Sequence, residues 1–324
     1  MPRQSGELID VHHHAVPREY LRALADIGVT VSVPGVPFPA WEPADSLAVM
    51  EAAGIRAAAL SITAPGVAGA TGADAERIAR VANQSLAEVV REHPGRFGAF
   101  ALLPLPDVPA ALREAEHALD ELGLDGLGFY SNAQGLYLGD PELEPLMALL
   151  AERGVPAFVH PAQPVALGRP GHLPASVLEF PVETTRAVAN LLFSGTLDRH
   201  PGLKLIFTHA GGTVPFLANR LANAAVIDPG LADRPPADTM ASLRRLHYDV
   251  AMSATSSQLR MLHDVVGAER IVFGSDFPFM PFAEAVGTAE GLREYPGFTD
   301  EQRRMVAHGT AGGLLYRLAE VAAR

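Results

Sequence analysis

Eight short apolar runs, each followed by a longer polar-faced stretch, pattern this 324-residue chain from end to end. The runs are Leu8–His14, Arg56–Thr63, Phe97–Leu103, Gly126–Tyr130, Ala157–His160, Leu203–His209, Tyr248–Met252 and Arg270–Asp276. Strands covered on both faces read as near-continuous apolar runs, and a helix between consecutive strands makes them parallel. Helical patterns lie between them, at Asp74–Glu92, Val108–Leu122, Pro141–Glu152, Glu183–Arg199 and Ser256–Val266. Asp107 ahead of Val108 and Asp140 ahead of Pro141 supply start signals for two of these. The alternation predicts an α/β chain forming a (β/α)8 TIM barrel as one domain over residues 1–324. A doubly wound open sheet is the competing architecture, but no Gly-x-Gly-x-x-Gly fingerprint follows the first run.

The polar residues of these runs collect at their C-terminal ends. The first run ends in His12-His13-His14, the fifth in His160, the sixth in His209 and the eighth in Asp276. Strand alternation puts His12 and His14 on one side and His13 on the other, where it packs into the barrel wall. All strand C-termini of a barrel open onto one mouth, so these residues meet despite their separation in the chain. Three imidazoles and a carboxylate make a ligand set for zinc or a similar divalent ion, leaving positions for water and substrate. The remaining histidine is then free to act as a general base or hydrogen-bond donor. The other histidines lack this placement. His93, His200 and His263 sit on or beside helices, His117, His247 and His308 stay unassigned, and His172 lies in a Gly/Pro-rich loop.

Composition narrows the partners. A net charge of −12 argues against nucleic acid or an anionic membrane surface. With no cysteine there is no disulfide framework, thiolate metal site or thiol nucleophile. Met1–Glu7 lacks the apolar core of a signal peptide, and the Ala-rich stretch Ile55–Val67 is broken by Arg56 and Pro65. A cytoplasmic protein with a small-molecule partner is expected.

The segments Asp10-Val11-His12-His13-His14, Phe158-Val159-His160-Pro161, Phe207-Thr208-His209-Ala210-Gly211-Gly212 and Phe273-Gly274-Ser275-Asp276-Phe277-Pro278 together resemble the amidohydrolase superfamily. The likeness is to the branch typified by 2-amino-3-carboxymuconate-6-semialdehyde and hydroxybenzoate decarboxylases. Phe180-Pro181-Val182-Glu183-Thr184-Thr185-Arg186 and Val214-Pro215-Phe216, with Arg220 beyond, extend it, and it runs from about Leu8 to Leu314-Leu315-Tyr316. The resemblance implies a distorted barrel of the metal-dependent hydrolase type. It implies His12, His14, His160 and Asp276 as metal ligands and His209 as the catalytic histidine beside them. Many members bridge two metals with a lysine at the end of the fourth strand. Here the sole lysine is Lys204, at the start of the sixth run, so one divalent ion is expected, zinc or else manganese, with no organic cofactor.

Two chemistries fit such a site. In a carboxy-lyase, Asp276 delivers a proton to the carbon bearing the substrate carboxylate, and His209 activates water or holds developing charge. In a hydrolase of an ester, lactone, amide or C–C bond, activated water attacks a carbonyl and Asp276 passes the proton to the leaving group. A non-catalytic barrel is the third and weakest reading, since it leaves the ligand set unexplained. Trp41, Phe277 and Phe279 are candidates for a flat apolar pocket, with Tyr130 and Asn132 after the fourth strand and Ser61 and Thr63 after the second. By resemblance, Arg220 reaches the substrate carboxylate of a neighbouring subunit, which implies a homodimer. The segment Val29–Asp45 is short and contains no arginine, unlike its counterpart in the semialdehyde decarboxylase. That favours a compact, salicylate-like hydroxybenzoic acid.

Overall fold

The computed structural model describes residues 7–165 and 173–322, so His172 lies outside the described residues. Eight strands form one sheet: β1 (Leu8–His14), β2 (Ile55–Ser61), β3 (Phe97–Leu102), β4 (Gly126–Tyr130), β5 (Pro156–His160), β6 (Lys204–Phe207), β7 (His247–Asp249) and β8 (Ile271–Val272). They lie side by side in chain order and every pairing is parallel. The ring closes between β1 and the segment after β8. Val11 N–H donates to Phe273 O at 3.0 Å, Asp276 N–H to His12 O at 2.8 Å, and His14 N–H to Phe277 O at 2.7 Å. The expected barrel is therefore formed, and β8 is drawn into it more by these bonds than by its own short ladder.

Side chains fill the interior. Ile9, Val11, Ala57, Ala59, Phe100, Phe158, Ile206 and Val272 make one buried cluster, and Leu314, Leu315 and Leu318 close it at the N-terminal end. Phe100 and Phe158 stack there with ring centroids 5.2 Å apart. The larger cluster lies between the strands and the surrounding helices. Burying one such phenylalanine contributes roughly 1.5–3 kcal/mol, so the barrel interior is a packed core, with the buried histidines above it at the mouth.

β1 departs from simple alternation in a way that matters for the mouth. Its register against β2 shifts between Asp10 and His13. Ile9 and Val11 face the interior cluster, yet the ring of His12 also lies inside, 5.0 Å from that of Phe158. An extra residue in the strand reverses the side-chain order once. His12 and His14 thereby join the interior face, and His13 points outward.

Helix boundaries differ from the sequence expectation at two places. The helix expected from Glu183 runs over Ala175–Phe193, straight through Pro181. Proline costs an N–H bond, but burial of Glu183, Thr184, Ala187, Val188, Leu191 and Leu192 along the far half holds the helix together. The pattern at Val108–Leu122 is an α-helix over Val108–Glu116 that widens into a π-helical turn at His117–Glu121. No helix among the described residues is long and apolar enough to cross a membrane.

Candidate metal centre

His12 and His14 from β1, His160 from the end of β5, and His209 and Asp276 from just beyond β6 and β8 converge at the mouth. One donor atom from each of His12, His160, His209 and Asp276 lies within 4.8 Å of the others. His14 completes the group: its Nε2 is 2.9 Å from His12 Nε2 and 3.1 Å from Asp276 Oδ1, and His12 Nε2 is 3.2 Å from that same oxygen. All five expected residues are therefore brought together.

The outer nitrogens of these rings decide what the inner ones offer. His12 Nδ1 is 2.8 Å from Asp249 Oδ2. A carboxylate only accepts, so Nδ1 carries the proton and Nε2 presents a lone pair. His14 Nδ1 is 2.9 Å from Ser61 Oγ, whose own proton goes to His13 O, with the same consequence. His160 Nδ1 donates to Pro161 O at 2.8 Å. Three imidazoles are thus locked in the tautomer that aims a lone pair inward. His209 is different. Its Nδ1 is buried without a partner among the described residues, and its Nε2 lies 3.4 Å from Asp276 Oδ2, where it acts as a donor.

Two imidazole nitrogens and a carboxylate oxygen at 2.9–3.2 Å repel one another unless a proton or a metal ion sits between them. Donors each about 2.0–2.2 Å from a shared divalent ion stand roughly 3 Å apart, so the donor set fits a metal. The electrostatics favour positive charge at this point, whether a proton on His12 or a bound ion carries it. Burial alone lowers the pKa of His12, but the carboxylates of Asp249 and Asp276 outweigh it and raise it to about 10. Burial lowers His14 to about 4, and burial with the neighbouring imidazoles holds His160 well below the ordinary value. Burial resists charge on Asp276, yet the imidazoles around it, His12 first, hold its pKa well below the ordinary carboxylate value.

The backbone around the centre is strained. His209 and Asp276 have φ of 54° and 60°, in the left-handed region that non-glycine residues rarely occupy. His209 is held there by its N–H bond to Asp249 Oδ1 at 2.9 Å. Gly274 is needed for close approach: a Cβ there would stand 2.7 Å from His12 Cβ and 3.1 Å from Asp249 Cβ.

His13 takes the wall position expected of it. Its Nδ1 contacts Asp10 Oδ2 at 3.0 Å, and Ser46 Oγ lies 2.9 Å from its Nε2. Trp41 donates to Ser46 Oγ at 2.8 Å, and Phe277 packs 5.4 Å from the His13 ring. Trp41 and Phe277, both candidates for a substrate pocket, are placed around His13, one through Ser46 and the other by direct ring packing. Phe279 meets the centre edge-on to His14 at 5.6 Å, as Phe158 meets His12 at 5.0 Å and Phe180 meets His160 at 6.0 Å. Tyr130 lines a cavity of about 470 Å³ with Val33, Leu105, Asn132 and Gln163, and its hydroxyl donates to Ile62 O at 2.9 Å. Arg220 is exposed on the helix Val214–Ala222 and enters no ion pair among the described residues.

Sequence reasoning missed Asp249. It is fully buried and ties His12 to the His209 backbone, with a further bond from Ala251 N–H at 2.9 Å. The signal was present: an acidic residue ending an apolar run, hidden because the run was drawn past it to Met252.

Comparison with known proteins gives a coherent picture. The amidohydrolase family model matches residues 9–316. The decarboxylase yanB of Aspergillus niger is 37% identical over 325 residues, covering 95% of this chain and 87% of that protein. The 6-methylsalicylic acid decarboxylase of Penicillium expansum is 33% identical over 315 residues, with 96% of each chain covered. The crystal structure of 5-carboxyvanillate decarboxylase LigW from Sphingomonas paucimobilis superposes with a TM-score of 0.84 at 26% identity, covering 96% of this chain and 99% of that one.

Proposed function

The chain belongs to the amidohydrolase family and is a carboxy-lyase of it, and on that premise we propose that it removes carbon dioxide, without oxidation, from a salicylate-like hydroxybenzoic acid. His12, His14, His160 and Asp276 hold one divalent ion, zinc or manganese, and His209 serves the proton. The reading takes residues 1–324 as one catalytic domain. The observation that carries it is the division of tautomers: three imidazoles offer lone pairs to a common point, while His209 offers a proton.

A divalent ion bound there supplies a Lewis acid for the carboxylate and neighbouring hydroxyl oxygen of the substrate. The protein side of the reaction is proton delivery. His209, entering the step as the imidazolium, passes the Nε2 proton to Asp276 Oδ2, 3.4 Å away, and is left as the neutral ring. Asp276 passes the proton to the ring carbon that bears the carboxylate. The carbon–carbon bond then breaks, carbon dioxide leaves, and the bond electrons restore the aromatic ring. Phe279, beside His14, offers an apolar edge to that ring. The mainly apolar cavity at Tyr130 offers room for a ring substituent.

Two further points belong to this reading. Phe216, Val226 and Ile227 are 76%, 83% and 67% exposed on the same stretch as Arg220. That apolar surface supports pairing with a second copy, and Arg220 then reaches the partner's substrate carboxylate. The absence of cysteine removes any dependence on an oxidising compartment and supports a cytoplasmic setting.

The test is a panel of hydroxybenzoic acids given to metal-loaded and chelator-treated protein. Release of carbon dioxide with the matching phenol, only when metal is present, is expected. No phenol from any member sinks the substrate class, and cleavage of an ester or lactone panel instead points to a hydrolase.

A further inference from the structure

A second cavity opens at the opposite end of the barrel from the metal centre. Its volume is about 900 Å³, large enough for a small organic molecule. It is framed by the start of β6 at Lys204, the start of β7 at His247, Arg270 just before β8, and the C-terminal segment carrying Arg304 and His308.

Its charge is opposite to that of the protein as a whole. In a chain of net charge −12, four permanent cations line this cleft, Lys204, Arg245, Arg270 and Arg304, against two carboxylates, Glu269 and Glu301. Both carboxylates are exposed at the surface, and neither forms an ion pair among the described residues, whereas Lys204 and Arg270 are half-buried. Arg245 is engaged by Asp198, 3.7 Å away, and by Leu197 O. The remaining cations have no acidic partner among the described residues. Lys204 Nζ meets only a carbonyl, that of Gly154 at 2.9 Å. Arg270 reaches the His247 ring nitrogen Nε2 at 3.3 Å. Its Nε is buried and has no hydrogen-bond partner among the described residues.

A buried guanidinium N–H without an acceptor is costly, and guanidinium is the side chain best shaped to bind carboxylate or phosphate. We propose that this cleft is a binding site for the oxyanion group, phosphate or carboxylate, of a small molecule. Arg270 and Lys204 provide its inner wall and Arg304 its exposed outer contact. The N-terminal end of a barrel carries no chemistry of its own, so this is a binding site separate from the reaction centre.

The probes are inorganic phosphate and acetate, added to the metal-loaded protein against sodium chloride of equal ionic strength. Binding is followed by calorimetry and by thermal unfolding. A saturable stabilisation by one of them, beyond that of chloride, is expected, with affinity reduced at least tenfold in Arg270→Gln and more modestly in Arg304→Gln. The Arg304 side chain is exposed and makes no hydrogen bond or ion pair among the described residues, so its variant folds and keeps the test decisive if Arg270→Gln does not. Which probe wins tells phosphate from carboxylate. Stabilisation equal to that by chloride overturns the proposal. So does binding that survives both substitutions, since that locates the anion elsewhere, the metal centre included.

Discussion

Replacing Asp249 by asparagine tests the metal centre at the residue that orients it. The side chain keeps its size, and its amide oxygen can still accept from the backbone N–H groups of His209 and Ala251, each at 2.9 Å. That leaves the NH2 group where Oδ2 now faces His12 Nδ1 at 2.8 Å. A donor would then meet a donor, and the contact is relieved only if the His12 proton moves to Nε2. That proton fills the lone pair the ion requires, so the ion loses one ligand or must hold the ring in its unfavourable tautomer. Loss of such an orienting partner costs about 10- to 100-fold in metal affinity, or roughly 1.4–2.7 kcal/mol. Competition with a chelator of known affinity, on wild type and Asp249→Asn, measures it. An unchanged metal affinity in a folded variant would refute the tautomer argument and with it the division of roles among the histidines.

Other substitutions separate structure from chemistry. His209→Gln is expected to lower kcat by about 10²–10⁴-fold with metal content intact, while His160→Ala loses metal as well as activity; equal metal loss in both would make His209 a ligand. Gly274→Ala forces β1 and β7 apart, because the added Cβ would lie 2.7 Å from His12 Cβ. A cost of about 1–3 kcal/mol in chemical unfolding and loss of bound metal are expected. His247 is held at a pKa of about 4, below its ordinary value of 6.5, by burial and then by Arg270 and Lys204. The unfolded chain therefore takes up a proton that the folded chain refuses. The stability involved is fully present above pH 6.5 and is lost as pH falls from 6.5 towards 4, by up to about 3 kcal/mol. Urea unfolding of His247→Gln should show a flatter slope across that window, and an unchanged slope would contradict it.

The barrel was legible because each buried strand is a run and each surrounding helix a period, and both follow from burial alone. The ligands were legible because imidazoles at the ends of apolar runs have no packing reason to be there. What the runs did not carry was local geometry. The register shift in β1 depends on how that strand meets β2 and the segment after β8. Alternation rightly paired His12 with His14, yet taken strictly it sets both opposite to Ile9 and Val11, and only the bulge brings all four to the interior. The contacts of Trp41 and Phe277 with the His13 and Ser46 pair join residues far apart in the chain, which no local pattern reports. Helix Ala175–Phe193 continues through Pro181 because its far half is buried, a tertiary effect no local signal reports.

The central claim is that the bond broken joins a ring carbon to its carboxylate and that a proton takes the vacated place. Metal-loaded protein in D2O, given a hydroxybenzoic acid carrying ¹³C in the carboxylate, reads both events in one NMR experiment. The account predicts that the label leaves as carbon dioxide or bicarbonate while deuterium appears on the carbon that held it. Label retained in an organic product, with a newly released acid or alcohol group elsewhere, would contradict it.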